Sequence, residues 1–170
     1  MTTKGYWNIL KFLYIITYIK ASSKQLCKII QIGFKNILSP IMIAKGLMDT
    51  DSDGKLFLLI DQDYKSLKKL IQLSGVDPYI DIVSNRNIIL KEEDIIDILY
   101  IEHISKGQNY QDLLMLFEPK LKYGSILMAY GIKDPDFRSD GFLENILDAD
   151  KWVTQFLFMD IGGLSLSVKK

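Results

Sequence analysis

Glu102 and His103 set a carboxylate beside the only imidazole of the chain, directly after an apolar run at 98–101. Such a pair at the end of a strand is equipped to move a proton. A sole histidine in that place is more often structural, so the pair marks a candidate and no more. Asp61-Gln62-Asp63 closes a second apolar run, 55–60, and Asp63 is well placed to cap a helix over 64–73. Asp49-Thr50-Asp51-Ser52-Asp53-Gly54 copies the first half of a calcium-binding EF-hand loop. Its twelfth position, where a bidentate carboxylate belongs, is Ile60, and strand signals follow where a helix should start. That stretch reads as a solvated turn. Cys27 is the only thiol, which rules out an internal disulfide and a cysteine-based zinc site and points to a reducing, intracellular compartment. It reads as a small buried hydrophobe within a strand over 26–32, and Gly33 ends that strand.

These residues need elements to hold them, and the pattern supplies a regular alternation. Strands are expected over 26–32, 55–60, 80–83, 98–101 and 125–129, with helices over 37–47, 64–73, 110–117 and 140–147. Residues 92–96 read as a short helix or loop. Pro40 near a helix start, Gly75 after one end and Pro119 after another punctuate the helices. Nearly continuous apolar strands are those covered on both faces. Runs 153–159 and 164–169, joined by Gly162-Gly163, read as a hairpin. Repeated β–α alternation therefore predicts an α/β, doubly wound, Rossmann-like and mostly parallel sheet with an antiparallel C-terminal edge and flanking helices.

The N-terminal run 6–19 is apolar and aromatic but too short to cross a bilayer, and Lys11 interrupts it. Trp7, Leu10, Leu13, Tyr14 and Thr17 fall at helical spacing, so a packing helix within residues 1–20 is expected, and no membrane span. All 170 residues fit one domain. Lys plus Arg and Asp plus Glu both count 21, a balance that offers no general pull on nucleic acid or anionic lipid. Tyr and Phe sit at core spacings, so there is no nucleic-acid signature.

The chain resembles class I S-adenosylmethionine-dependent methyltransferases. Gln31-Ile32-Gly33-Phe34-Lys35-Asn36-Ile37 matches the family's acidic residue and Gly-x-Gly-x-Gly turn. Asp61 matches the carboxylate that receives both ribose hydroxyls, and Gly75–Val83 is similar to the link into the third strand. The stretch from Ile98 to His103 and on through Tyr130 resembles catechol O-methyltransferase and its small-molecule relatives, a likeness that covers almost the whole chain and implies a seven-stranded sheet. It implies cofactor-pocket positions at Gln31, Gly33, Phe34, Asp61, Glu102 and His103.

Several motif residues depart from the family. Lys35 and Ile37 replace two glycines, and Gln31 replaces the acid. Of the metal site, Glu102 remains, but the Asp-Asn pair falls on Tyr130-Gly131 and the lysine position on Ser105, next to Lys106. No metal site and no catalytic residue are expected. These departures predict a methyltransferase-like domain without catalysis, with no cofactor, serving as a binding or structural subunit with protein partners in a larger assembly. The alternative is an active, metal-independent O-methyltransferase that uses S-adenosylmethionine on a small molecule.

Overall fold

The computed structural model describes residues 3–60, 65–83, 94–102, 104, 109–133, 141–159 and 162–170. Helix α1 (Thr3–Ser22) leads into β1 (Lys28–Ile32), α2 (Ser39–Met48) and β2 (Lys55–Leu59). Helix α3 (Lys65–Leu73), a 3₁₀ turn (Asp77–Tyr79) and β3 (Ile80–Val83) follow, then β4 (Ile96–Ile101) and α4 (Tyr110–Phe117). A second 3₁₀ turn (Glu118–Lys120) opens β5 (Leu121–Tyr130), and α5 (Phe142–Ile146), β6 (Trp152–Leu157) and β7 (Leu164–Lys169) complete the order.

The seven strands form one sheet in the order β3-β2-β1-β4-β5-β7-β6. The first five are parallel, and β7 runs antiparallel between β5 and β6. Strand β4 is buried at every residue, as a central strand covered on both faces is, and its one carboxylate, Asp97, is paired with Lys24. Ile29, Leu58, Ile98, Tyr100 and Met128 pack under α1, α2 and α3. Ile30, Leu99, Ile101 and Leu127 meet α4 and α5 on the other side. Local chemistry fixes several boundaries. Pro40 sits in the first turn of α2, and the Asn109 side chain accepts from Asp112 N at 2.6 Å to start α4.

Some expectations are corrected. Helix α1 buries Tyr6, Ile9, Leu10, Leu13, Thr17 and Ala21, whereas Trp7 faces out. The helix is apolar all round, so spacing alone does not choose the inward side. The first strand starts at Lys28, leaving Leu26 exposed and Cys27 buried just ahead of it. Strand β5 begins at Leu121, four residues early. Ser125 Oγ accepts from Lys122 N and donates to Ile96 O at 2.7 Å, carrying the strand past Gly124, whose φ is +77°. The 49–54 stretch is a turn, as read. There the Ser52 hydroxyl accepts from Gly54 N.

Candidate functional site

The sheet order reverses direction between β1 and β4, and at such a switch point the loops leaving the carboxyl ends diverge to form a crevice. Gln31 and Tyr100 are partners across that pair, so both side chains face the α1–α2 side. Gly33 follows β1 with φ +63°, a left-handed conformation that glycine adopts without cost. Its N–H donates to Leu59 O at 2.8 Å, and Glu102 N donates to Ile32 O at 3.1 Å. The exits of β1, β2 and β4 are thereby tied together.

Glu102 is buried, 2% exposed. Its Oε1 accepts from the Tyr6 hydroxyl of α1 and from Asn36 N at 3.2 Å. Its Oε2 accepts from Gln31 Nε2 at 2.9 Å and from the Ser39 hydroxyl at the start of α2. One carboxylate thus joins α1, β1, β4 and the turn into α2. Burial pushes its pKa up to about 7, against the opposing pull of Ser39, Tyr6 and the N–H groups of Asn36 and Lys35. Burial raises the Tyr6 hydroxyl strongly, with Glu102 adding to it, and raises Tyr100 and Tyr130 by the same two causes. The Tyr6 and Tyr130 rings meet edge to face at 5.8 Å, and Lys35 Nζ lies 5.7 Å from the Tyr130 ring centre.

Two polar atoms in this cluster, Gln31 Oε1 and the Tyr100 hydroxyl, are buried with no hydrogen-bond partner among the described residues. An orphaned buried acceptor costs about 1–3 kcal/mol unless something meets it. The two N–H groups of the Gln31 amide are shared among Gly33 O at 3.1 Å, Ser39 Oγ and Glu102, so its carbonyl oxygen is the free end.

With this geometry 95% or more of the chain aligns on several solved structures of methyltransferases. An O-methyltransferase from Bacillus cereus in complex with SAH matches 100% of this chain and 82% of its own, at 18% identity and TM-score 0.74. The O-methyltransferase TomG from Streptomyces achromogenes, in complex with SAM, matches 96% and 80% at 15% identity and TM-score 0.69. A methyltransferase from Geobacter sulfurreducens matches 95% and 78% at 15% identity and TM-score 0.72. The chain has the class I methyltransferase fold. No protein-family model matches it, and no curated protein does.

Within the methyltransferase fold the structure brings Gln31, Gly33 and Glu102 together at the exits of β1 and β4, with Phe34 next in the turn. Phe34 and Ile37 lean, partly buried, on the core beneath α1 and α2. Asp61 and His103 lie outside the described residues, as do Ser105 and Lys106. Tyr130 is buried at the end of β5, and Gly131 donates its N–H to Gly163 O. Among the described residues no group of three or more His, Cys, Asp or Glu could hold a metal. Tyr6, Ser39 and Asn36 escaped the sequence reading. Tyr6 stands 96 residues from Glu102, and no local spacing signals their meeting.

Proposed function

We propose that the chain is an S-adenosylmethionine-dependent O-methyltransferase that acts on a small molecule without a bound metal. The observation that carries this reading is the buried, unpartnered Gln31 Oε1 beside Gly33 at the exit of β1. A carbonyl oxygen there can accept from the ammonium of the cofactor's amino-acid end, the role that the family gives to a carboxylate. Gly33 lets backbone approach closely, and Glu102 fixes the turn through Asn36 and Ser39. When bound, the cofactor supplies an electrophilic methyl group on a sulfonium. Tyr130 and Gly131 replace a metal's ligands, so the acceptor oxygen is oriented by side chains and pocket shape alone.

A second reading has its own observation. Lys35 and Ile37 stand where the fold's relatives by resemblance carry glycine, and Ile37 packs on the core at the end of the turn, just ahead of α2. Excess volume in a packed site costs about 1–3 kcal/mol, and the domain would then be an inactive binding subunit of a larger assembly. Calorimetric titration with S-adenosylhomocysteine separates the two. The enzyme reading expects saturable micromolar binding by the wild type, weakened about tenfold or more by Gln31→Leu. Binding only after the double change Lys35→Gly, Ile37→Gly would establish the filled turn and the inactive reading. Methyl transfer to catechol-like and phenolic acceptors, followed with labelled cofactor, then tests catalysis.

A further inference from the structure

We propose that the outward face of α1 docks on an anionic membrane surface, lying along it and not crossing it. The balanced charge of the chain is unevenly spread: the first 48 residues hold seven of the 21 Lys and Arg and none of the 21 Asp and Glu. Helix α1 contains three lysines and no carboxylate. Its inner face is fully used by the core, yet its outer face is apolar as well. Trp7 (51% exposed), Ile15 (51%), Tyr18 (41%) and Ile19 (60%) all face solvent. At 100° per residue they fall with Lys11 and Ser22 in one arc of about 120°.

This composition suits the bilayer interface. Trp and Tyr favour the headgroup level, isoleucines reach the acyl boundary, and Lys11 can extend its ammonium to lipid phosphate while its stem lies on apolar surface. Of the carboxylates in the neighbouring 49–54 turn, Asp51 and Asp53 are exposed beyond the C-terminal end of α1, and Asp49 is engaged within the fold. Asp49, which accepts from Tyr14 on its flank, is paired with Lys45 at 2.6 Å, and Lys24 is paired with Asp97. The outward side of α4 makes the contrast. Met115 and Leu116 are exposed there too, but Asp112 and Glu118 flank them within the same two turns. A second copy of the chain is a poorer occupant. A two-fold antiparallel packing centred on the stripe would set the two Lys11 residues about 6 Å apart along the axis, in an apolar seam. No described helix is long and apolar enough to cross a membrane, so the contact is superficial.

The test is sedimentation of the purified protein with vesicles of phosphatidylcholine alone and of phosphatidylcholine with phosphatidylserine in equal parts. Trp7 fluorescence supplies a second readout, because Trp152, the other tryptophan, is buried. The expected result is at least tenfold more binding to the anionic vesicles, with a blue shift of emission. Lys11→Glu and Ile15→Ser should each abolish binding without changing the unfolding midpoint, whereas Met115→Ser should leave it intact. Absence of binding to anionic vesicles overturns the proposal. So does equal binding to both vesicle types that ignores Lys11→Glu, and so does a lipid-free dimer that Ile15→Ser dissociates.

Discussion

Glu102 concentrates the chemistry of this molecule at the scale of single residues. Four donors converge on it from α1, β1, the turn after β1 and α2. Removing the carboxylate strands those donors in the interior, so Glu102→Leu should lose about 2–4 kcal/mol in urea unfolding. Its pKa also sets a pH dependence. The folded-state value, about 7, lies above the ordinary 4.5, so the folded protein holds this proton more tightly than the unfolded chain. Stability from this group is therefore complete below pH 4.5 and is lost as pH rises through 7. The expected outcome is a fall of a few kcal/mol at most between pH 5 and 8, at 1.36 kcal/mol per unit, and a flatter profile in Glu102→Gln. A wild-type profile that rises over that window would show the carboxylate to be stabilised, not strained, by its donors. Glu102, Gln31 and Gly33 were legible in the sequence because they sit at strand exits in a recognisable order. Tyr6 and Ser39 were not, because their part depends on where distant elements come to rest.

Among the elements, the packing of α1 on α2 is the contact that sets the site's ceiling, since Tyr6 and Ser39 belong to these two helices. Gly46 lets them approach. A Cβ there would lie 2.9 Å from Thr17 Cβ and 2.9 Å from the Tyr14 carbonyl oxygen, and a backbone atom cannot swing aside. Alanine is the better helix former by about 1 kcal/mol, but overpacking costs about 1–3 kcal/mol. Gly46→Ala is accordingly expected to destabilise by about 1–2 kcal/mol in chemical denaturation. A gain in stability would show that the helices sit further apart. Residues 98–101 of β4 were easy to read as an apolar run, since burial on both faces removes any alternation, but Ile96, read as part of a helix or loop, and the buried Asp97 also belong to the strand. The inward side of α1 was not, because Trp7 and Ile15 are as apolar as Ile9 and Leu13, and only the tertiary fold distinguishes them.

For the whole molecule, the informative feature is the place of β7. It follows β6 in the chain yet lies between β5 and β6, bonding both from Leu164 to Val168. The residue pattern yields two strands and a tight Gly162-Gly163 link, but nothing local says which neighbour the second strand takes. The resemblance implies seven strands and the pattern an antiparallel edge, but the order of the last two is seen only in the fold. Deleting residues 164–170 should leave β5 with a bare edge and β6 with no partner, so loss of the cooperative unfolding transition in circular dichroism is expected, and a sharp transition in the truncated protein would refute it. The same arrangement bears on how the protein is made. As the chain leaves the ribosome, the parallel half of the sheet can assemble while β5 still shows an unpaired row of amides and carbonyls. Nothing synthesised before β7 can cover it without being displaced later. The nascent protein thus passes through an interval in which a ten-residue strand is open to other chains, and its yield in a crowded cell depends on how briefly that interval lasts.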